Sequence, residues 1–155
     1  MTRLPLADIV ADPFHRLLGH RPEILEAWRN LDRVMLGPSS TLPLGLKEEA
    51  RRALAQNIGC AFCATVGGQP MTRPANPAIA LAVSFASQVS VDHQQIDDST
   101  FDVLREEFSD TQIAELVMWI CFKYGSNLLG AIVKLEPATE AEIDGYSEFL
   151  NHATT

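Results

Sequence analysis

The stretch SDTQIAELVMWICFKYGSNLLGAIVKL, residues 109–135, contains most of the information about the fold. It begins with Ser109 and Gln112 at the spacing of a capping box, in which each side chain bonds the other residue's backbone N–H group. Apolar residues then occupy nearly every face of a predicted helix from Asp110 to Leu135, which Pro137 ends. A helix without a polar face is buried on all sides. We therefore expect this helix at the centre of the fold, covered in part by a second copy of the chain.

Shorter helices are predicted elsewhere in the chain, with proline at their starts and glycine at their ends. No stretch keeps the two-residue alternation of a half-buried strand, so the sequence predicts an all-α fold. The predicted helices run from Pro22 to Met35, from Leu46 to Ile58, from Cys60 to Val66, from Pro77 to Val89, from Asp97 or Asp98 to Phe108, and from Ala141 to Leu150.

Length and composition favour a single domain over residues 1–155, with 46% hydrophobic and 21% charged residues. These values exclude a disordered or collagen-like chain. The 12 basic and 20 acidic residues give a net charge of −8, so a nucleic acid partner is not expected. No run of about 18 apolar residues predicts a membrane span. Asp8 and Asp12 interrupt the N-terminus before a signal peptide could form, so a cytoplasmic location is expected.

Cys60 and Cys63 form a Cys-x-x-Cys motif at the predicted start of a helix, directly after Gly59. A helix N-terminus favours the thiolate, the form in which cysteine reacts. One helical turn between the two sulfurs permits a reversible disulfide. Two other interpretations stay open, half of a zinc site or a pair of inert core cysteines, although zinc requires four ligands and no second pair exists. Cys121 lies within the apolar run and is predicted to pack in the core.

Three segments together resemble a known family. They are LKEEARRALAQNIGCAFC at residues 46–63, VDHQQIDD at 91–98 and FSDTQIAELV at 108–117. In this order they resemble the alkylhydroperoxidase D-like, carboxymuconolactone decarboxylase superfamily, over roughly Pro22 to Pro137. The resemblance implies an all-α alkylhydroperoxidase D-like domain whose subunits assemble into trimers or hexamers through long apolar helices.

The resemblance also implies roles for individual residues. Cys63 would attack the peroxide, Cys60 would resolve the resulting sulfenic acid into a disulfide, and Glu48, twelve residues before Cys60, would relay protons. Two positions depart from the family pattern. The family has a relay histidine four residues after the second cysteine, and this chain has Gly67 at that position. Some members also have a histidine directly before the second cysteine, where this chain has Phe62.

Other interpretations are open for Glu48 and for the source of the missing histidine. Arg51 and Arg52 follow Glu48 by three and four residues, where an ion pair on an exposed helix face is expected. Among the histidines, His93 is the best substitute for the missing relay because it lies in a family-like segment, although an exposed loop histidine is the alternative. The other histidines are His15, His20 and His152.

The sequence thus predicts a thiol-dependent peroxidase that reduces an organic hydroperoxide or hydrogen peroxide and is recycled by a thiol reductant of unknown identity. No cofactor and no metal ion are expected, since no metal-ligand spacing is present. Two alternatives remain. One is a lyase of the carboxymuconolactone decarboxylase type, against which the retention of both cysteines argues. The other is a non-catalytic oligomer that binds a small apolar ligand, which the glycine at position 67 favours.

Overall fold

A computed structural model describes residues 1–153, which contain eight α-helices and a short 3₁₀ helix and no β-strand. This confirms the predicted all-α fold. The helices are α1 (Pro13–Leu18), α2 (Pro22–Leu36), α3 (Leu44–Ile58), α4 (Ala61–Gly67), α5 (Pro77–Asp92), α6 (Asp98–Leu104), α7 (Asp110–Val133) and α8 (Glu140–Ala153), with the 3₁₀ helix at His93–Gln95.

The helix ends follow local signals in the sequence. The predicted capping box is present, because the Ser109 side chain accepts from the Gln112 N–H group and the Gln112 side chain accepts from the Ser109 N–H group. Gly59 ends α3 in the left-handed conformation, with φ of 82°. Helix α1 is not among the predicted helices, although its start is marked by Asp12 as N-cap and by a proline at its first position. A helix of six residues is too short to show apolar periodicity.

The main core lies where α3 packs against α5 and α7. Leu54, Phe85, Leu116 and Ile120 are among its buried side chains. A second apolar cluster joins α1, α2 and α4 to the end of α7, and it contains both cysteines of the Cys-x-x-Cys motif. Helix α3 is unusual because its charged residues are buried as well as its apolar ones, namely Lys47, Glu48, Glu49 and Arg51.

Helix α7 buries only one face against its own chain. Its other face is an exposed stripe at alternating four- and three-residue spacing, the repeat of a helix seam that packs on another helix. The stripe consists of Ala114, Met118, Cys121, Gly125, Leu128 and Ile132. The prediction that Cys121 packs in the core is therefore wrong. An evenly apolar helix does not reveal which of its faces the chain itself covers.

By length and composition, α7 is the one helix within residues 1–153 that could cross a bilayer. A core helix of a soluble protein passes the same test, and α7 packs against α3 through Ile113, Leu116 and Ile120 in the main core. The packing of the fold thus explains the apolar residues on one face of α7, whereas the exposed stripe has no cover among residues 1–153. The cytoplasmic location stays a prediction.

We predict that the chain forms a homo-oligomer, a trimer or a hexamer, that covers the exposed stripe of α7. Met118→Lys should shift the sedimentation coefficient to that of a monomer, because a charge buried at a subunit contact lacks a partner. Val91→Lys is the matched control, since Val91 is exposed on α5 outside the stripe. A wild-type protein that sediments as a monomer at micromolar concentration would contradict this prediction.

Candidate functional site

The two cysteines lie at the junction of α3 and α4. Gly59 turns the chain after α3, and Cys60 is the N-cap of α4, with its sulfur accepting the N–H group of Cys63 at 3.2 Å. Cys60 and Cys63 form a disulfide whose Cα atoms are 5.2 Å apart. A three-residue separation at a helix start therefore brings the sulfurs together, as the spacing predicts. Within residues 1–153, no group of three or more His, Cys, Asp or Glu side chains is placed to hold a metal ion.

The two cysteine residues differ in access. Cys60 is fully buried, whereas Cys63 is 7% exposed and lines a large cavity. Helix α7 covers Cys60 at Gly130, where a Cβ atom would lie 2.5 Å from the Cys60 sulfur and 3.4 Å from the Cys63 sulfur. Only glycine permits this close approach of the α7 backbone. Of the pair, Cys63 is thus the residue that a molecule in the cavity can reach.

Glu48 is buried and is surrounded by hydrogen-bond donors. Arg51 donates from Nε to Oε2 at 2.8 Å and from Nη2 to Oε1 at 2.7 Å. The Tyr146 hydroxyl on α8 donates to Oε2 at 2.8 Å, and the Arg52 Nε lies 3.3 Å from Oε1. The prediction from residue spacing that Glu48 pairs with both arginines is correct, but the pair does not lie on an exposed face. The face is buried because it lines the cavity that α8 helps to enclose.

Arg51 connects Glu48 to the cysteines. Its Nη1 donates to the backbone carbonyl of Cys63 at 3.0 Å, and its guanidinium carbon lies 5.2 Å from the centre of the Tyr146 ring. Burial alone would lower the pKa of Arg51, but Tyr146 and the Glu48 carboxylate raise it above the usual value. Burial raises the pKa of Tyr146, and Glu48 adds to this effect against the opposing charge of Arg51. Arg51 is therefore a permanent cation, and Tyr146 is a neutral hydrogen-bond donor.

Gly67, the position that departs from the family pattern, faces this guanidinium. A Cβ atom at residue 67 would lie 1.5 Å from Nη2 of Arg51 and 2.8 Å from Oε1 of Glu48. The guanidinium thus occupies the space that any side chain at residue 67 would need. The absence of a histidine at residue 67 is evident from the sequence, but the presence of the Arg51 guanidinium in this space is not.

The cavity beside Cys63 has a volume of about 1040 Å³ and is bounded by α1, α2, α3, α4, α7 and α8. Aromatic side chains form much of its wall. A second, half-buried ion pair faces it, with the Lys123 Nζ 2.6 Å from Asp32 and 4.6 Å from the centre of the Trp119 ring. Burial lowers the pKa of Lys123, and Asp32 opposes this effect. The aromatic lining residues are Phe14, Trp28, Phe62, Trp119, Tyr146 and Phe149.

His93, the proposed substitute relay, lies on the exposed 3₁₀ helix and is not part of the cavity wall. His15 and His152 line the cavity instead. His15 accompanies Asp12, to which its Nδ1 is bonded. The structure therefore brings Glu48 to the same cavity as Cys63 and leaves His93 outside it.

Among solved structures, the chain is similar to an uncharacterized peroxidase-related protein from Silicibacter sp. TM1040. The TM-score is 0.72 and 17% of residues are identical, over 91% of this chain and 94% of that chain. A match of this kind establishes the fold, which is the all-helical alkylhydroperoxidase-like fold that the sequence resemblance implies. No protein-family model and no curated protein sequence matches the chain.

Gly67→Ala should lower the free energy of unfolding by about 1–3 kcal/mol, the range for an overpacked interior. The added Cβ collides with a guanidinium that Glu48 and the Cys63 carbonyl hold in place. The matched control is Gly145→Ala on α8, where an added Cβ meets nothing within 4 Å and where alanine should raise stability by up to about 1 kcal/mol. Urea unfolding of both variants measures the difference, and equal stability of Gly67→Ala and wild type would contradict the assignment.

Proposed function

We propose that the protein is a thiol-dependent peroxidase that reduces hydroperoxides with its Cys60–Cys63 dithiol. The observation that carries the proposal is the pairing of two bonded cysteines with unequal access. Cys63 lines a cavity large enough for an organic molecule, while Cys60 lies behind it and fully buried. The peroxidase-related protein with the same fold agrees with this class of activity.

The proposed reaction has two steps in the protein. The Cys63 thiolate attacks the terminal oxygen of a hydroperoxide, so that a sulfur–oxygen bond forms, the oxygen–oxygen bond breaks and the leaving alkoxide takes a proton to become an alcohol. The Cys60 thiol then attacks the sulfenic sulfur of Cys63, which forms the disulfide and releases water. A separate thiol reductant returns the disulfide to the dithiol by exchange. Two thiols are oxidised for each peroxide reduced.

The charged groups around Cys63 have complementary roles in this proposal. Arg51 places a fixed positive charge beside Cys63 and favours its thiolate form. The leaving alkoxide needs a proton from a group within about 3 Å or one water away. Glu48 is our proposed relay for that proton, because it can take the proton of the Cys63 thiol when the thiolate forms and pass it to the alkoxide. The Tyr146 hydroxyl donates to Glu48 at 2.8 Å and holds the carboxylate in place. His93 is not needed in this arrangement.

A non-catalytic role in binding a small apolar ligand is the second candidate function. The observation that favours it is the cavity itself, which has aromatic walls and no histidine at residue 67. Peroxide chemistry separates the two candidates, because a binding protein has no need for coupled oxidation of two thiols. The lyase alternative lacks a specific supporting observation in the structure.

Substoichiometric cumene hydroperoxide should remove the Cys60 and Cys63 thiols of the reduced protein together. Mass spectrometry should find a link between these two residues, and Cys63→Ser should abolish the reaction. Cys60→Ser should instead accumulate a sulfenic acid that dimedone traps at Cys63, because the resolving thiol is absent. Cys121→Ser is the control and should react like wild type. Slow, uncoupled loss of thiols in the wild-type protein would leave ligand binding as the better proposal.

Glu48→Gln should lower peroxide turnover by about 10²–10⁴-fold, the contribution of one general acid or base. The same substitution leaves Arg51 buried without its carboxylate partner, which costs about 3–5 kcal/mol of stability. The single variant therefore mixes two effects, and stability and turnover must both be measured.

The double variant Glu48→Gln/Arg51→Met separates these effects because it removes both charges of the pair. We expect urea unfolding to show that it regains much of the lost stability, since replacing a buried ion pair by neutral groups is often close to neutral. Its turnover should stay low if Glu48 and Arg51 both serve the reaction. Wild-type turnover in either variant would contradict the proposed relay.

A further inference from the structure

Within residues 1–153, the cavity wall contains four acidic side chains and four arginine or lysine side chains. Each acid is held by a neighbour of its own. The pairs are Asp12 with His15, Asp32 with Lys123, Glu48 with Arg51, and Glu142 with Thr139. Two cations of the wall, Arg29 and Arg33 on α2, are left over. In the described part of the chain the Arg29 side chain has no partner, and Arg33 donates to the side chain of Asn30 at 2.5 Å.

These two arginines lie at the mouth of the cavity. Trp28 and Asp32, one helical turn apart on α2, are half-buried and line the cavity. Arg29 and Arg33 each follow one position later, and they line the same cavity although they are exposed. Cys63 lines it as well but is buried. The cavity therefore has a cationic mouth and a cysteine in its interior.

The wall that leads from this mouth to the cysteine is apolar. The ring of Trp28, beside Arg29, has its centre 5.3 Å from that of the Phe14 ring. Trp28 packs against the second apolar cluster, of which Phe14, Phe62 and Cys63 are members. A molecule that extends from the arginines to Cys63 thus needs a charged end and a hydrocarbon body.

The spacing of the two arginines favours an anion as the charged end. Residues four apart on a helix are neighbours, with about 5–6 Å between their Cβ atoms, and like charges at this spacing destabilise the helix. A bound anion removes that repulsion. Guanidinium groups bind a carboxylate through two parallel hydrogen bonds. Since acids and cations of the wall are equal in number, a singly charged carboxylate leaves less excess negative charge in the cavity than a doubly charged phosphate.

We propose that Arg29 and Arg33 bind the carboxylate of an amphipathic acid whose hydrocarbon part extends along the aromatic wall into the cavity. Combined with the proposed function, this site defines the substrate class as hydroperoxides of aliphatic or aromatic carboxylic acids. The carboxylate lies at the mouth and the peroxide group at Cys63. The substrate class rests on the proposed function, whereas the carboxylate site does not.

Two probes of nearly the same shape test the site, 4-phenylbutanoate and its neutral amide, 4-phenylbutanamide. Isothermal titration calorimetry gives the affinity ratio of acid to amide for wild type and for the variant Arg29→Met/Arg33→Met. We expect the variant to reduce this ratio by about tenfold, within the range for two ion pairs at exposed positions. Added salt should reduce the wild-type ratio, because exposed charges are screened.

The matched control is Arg73→Met/Arg105→Met, which removes the same two charges from exposed positions outside the cavity wall. Its affinity ratio should equal that of wild type, because a contribution from net charge alone would change both double variants alike. Arg29→Lys/Arg33→Lys keeps both charges and should lose less of the ratio than the methionine variant. A third probe, 4-phenylbutylphosphonate, carries the doubly charged alternative and should bind no more tightly than the carboxylate.

Three results would overturn the carboxylate site. They are an unchanged ratio in Arg29→Met/Arg33→Met, an equal fall in the control variant, and no binding of 4-phenylbutanoate by wild type at millimolar concentration. Tighter binding of the phosphonate, lost in the methionine variant, would overturn the choice of a singly charged group.

Failure of the proposed function looks different. In that case the acid-to-amide ratio still falls in the methionine variant, while cumene hydroperoxide oxidises no thiol pair in wild type. If both proposals hold, Arg29→Met/Arg33→Met raises KM for linoleic acid hydroperoxide more than it raises KM for the methyl ester of that hydroperoxide. Equal changes of the two KM values would overturn the substrate class.

Discussion

The buried ion pair of Glu48 and Arg51 is the interaction on which the candidate site depends. Each charge needs the other, because an uncompensated charge in the interior is strongly destabilising. Each partner of the pair makes a further hydrogen bond to a neighbouring element. The Glu48 carboxylate accepts from the Tyr146 hydroxyl of α8, and the Arg51 guanidinium donates to the Cys63 carbonyl. The pair therefore fixes α4 and α8 relative to α3. It also fixes the backbone that carries Cys63.

Local signals made most of the helices predictable. Helix α3 was expected from Leu46 to Ile58 and runs over Leu44–Ile58, and the capping box of α7 is present as expected. These features depend on residues within one or two turns of each other, which is the range over which sequence patterns are informative. The exposure of Cys121 was not predictable in this way. Which face of an evenly apolar helix is covered depends on distant parts of the chain.

The candidate site could be predicted only in part for the same reason. The spacing of Cys60 and Cys63 places their sulfurs together, whatever the rest of the fold does. The burial of Glu48 instead depends on Tyr146, 98 residues later in the chain.

The glycine at residue 67 affects the acid–base chemistry of the site, because it leaves this position without a titratable side chain. A histidine there would be a base that gains and loses a proton near neutral pH. The space holds the Arg51 guanidinium instead, which stays charged because its pKa is raised. In the proposed reaction, the fixed charge of Arg51 favours the thiolate of Cys63 but supplies no proton. The proton must then come from another group. In our proposal Glu48 is the neighbour of Arg51 that takes up the proton of the Cys63 thiol and passes it on, so charge stabilisation and proton transfer are assigned to two different residues.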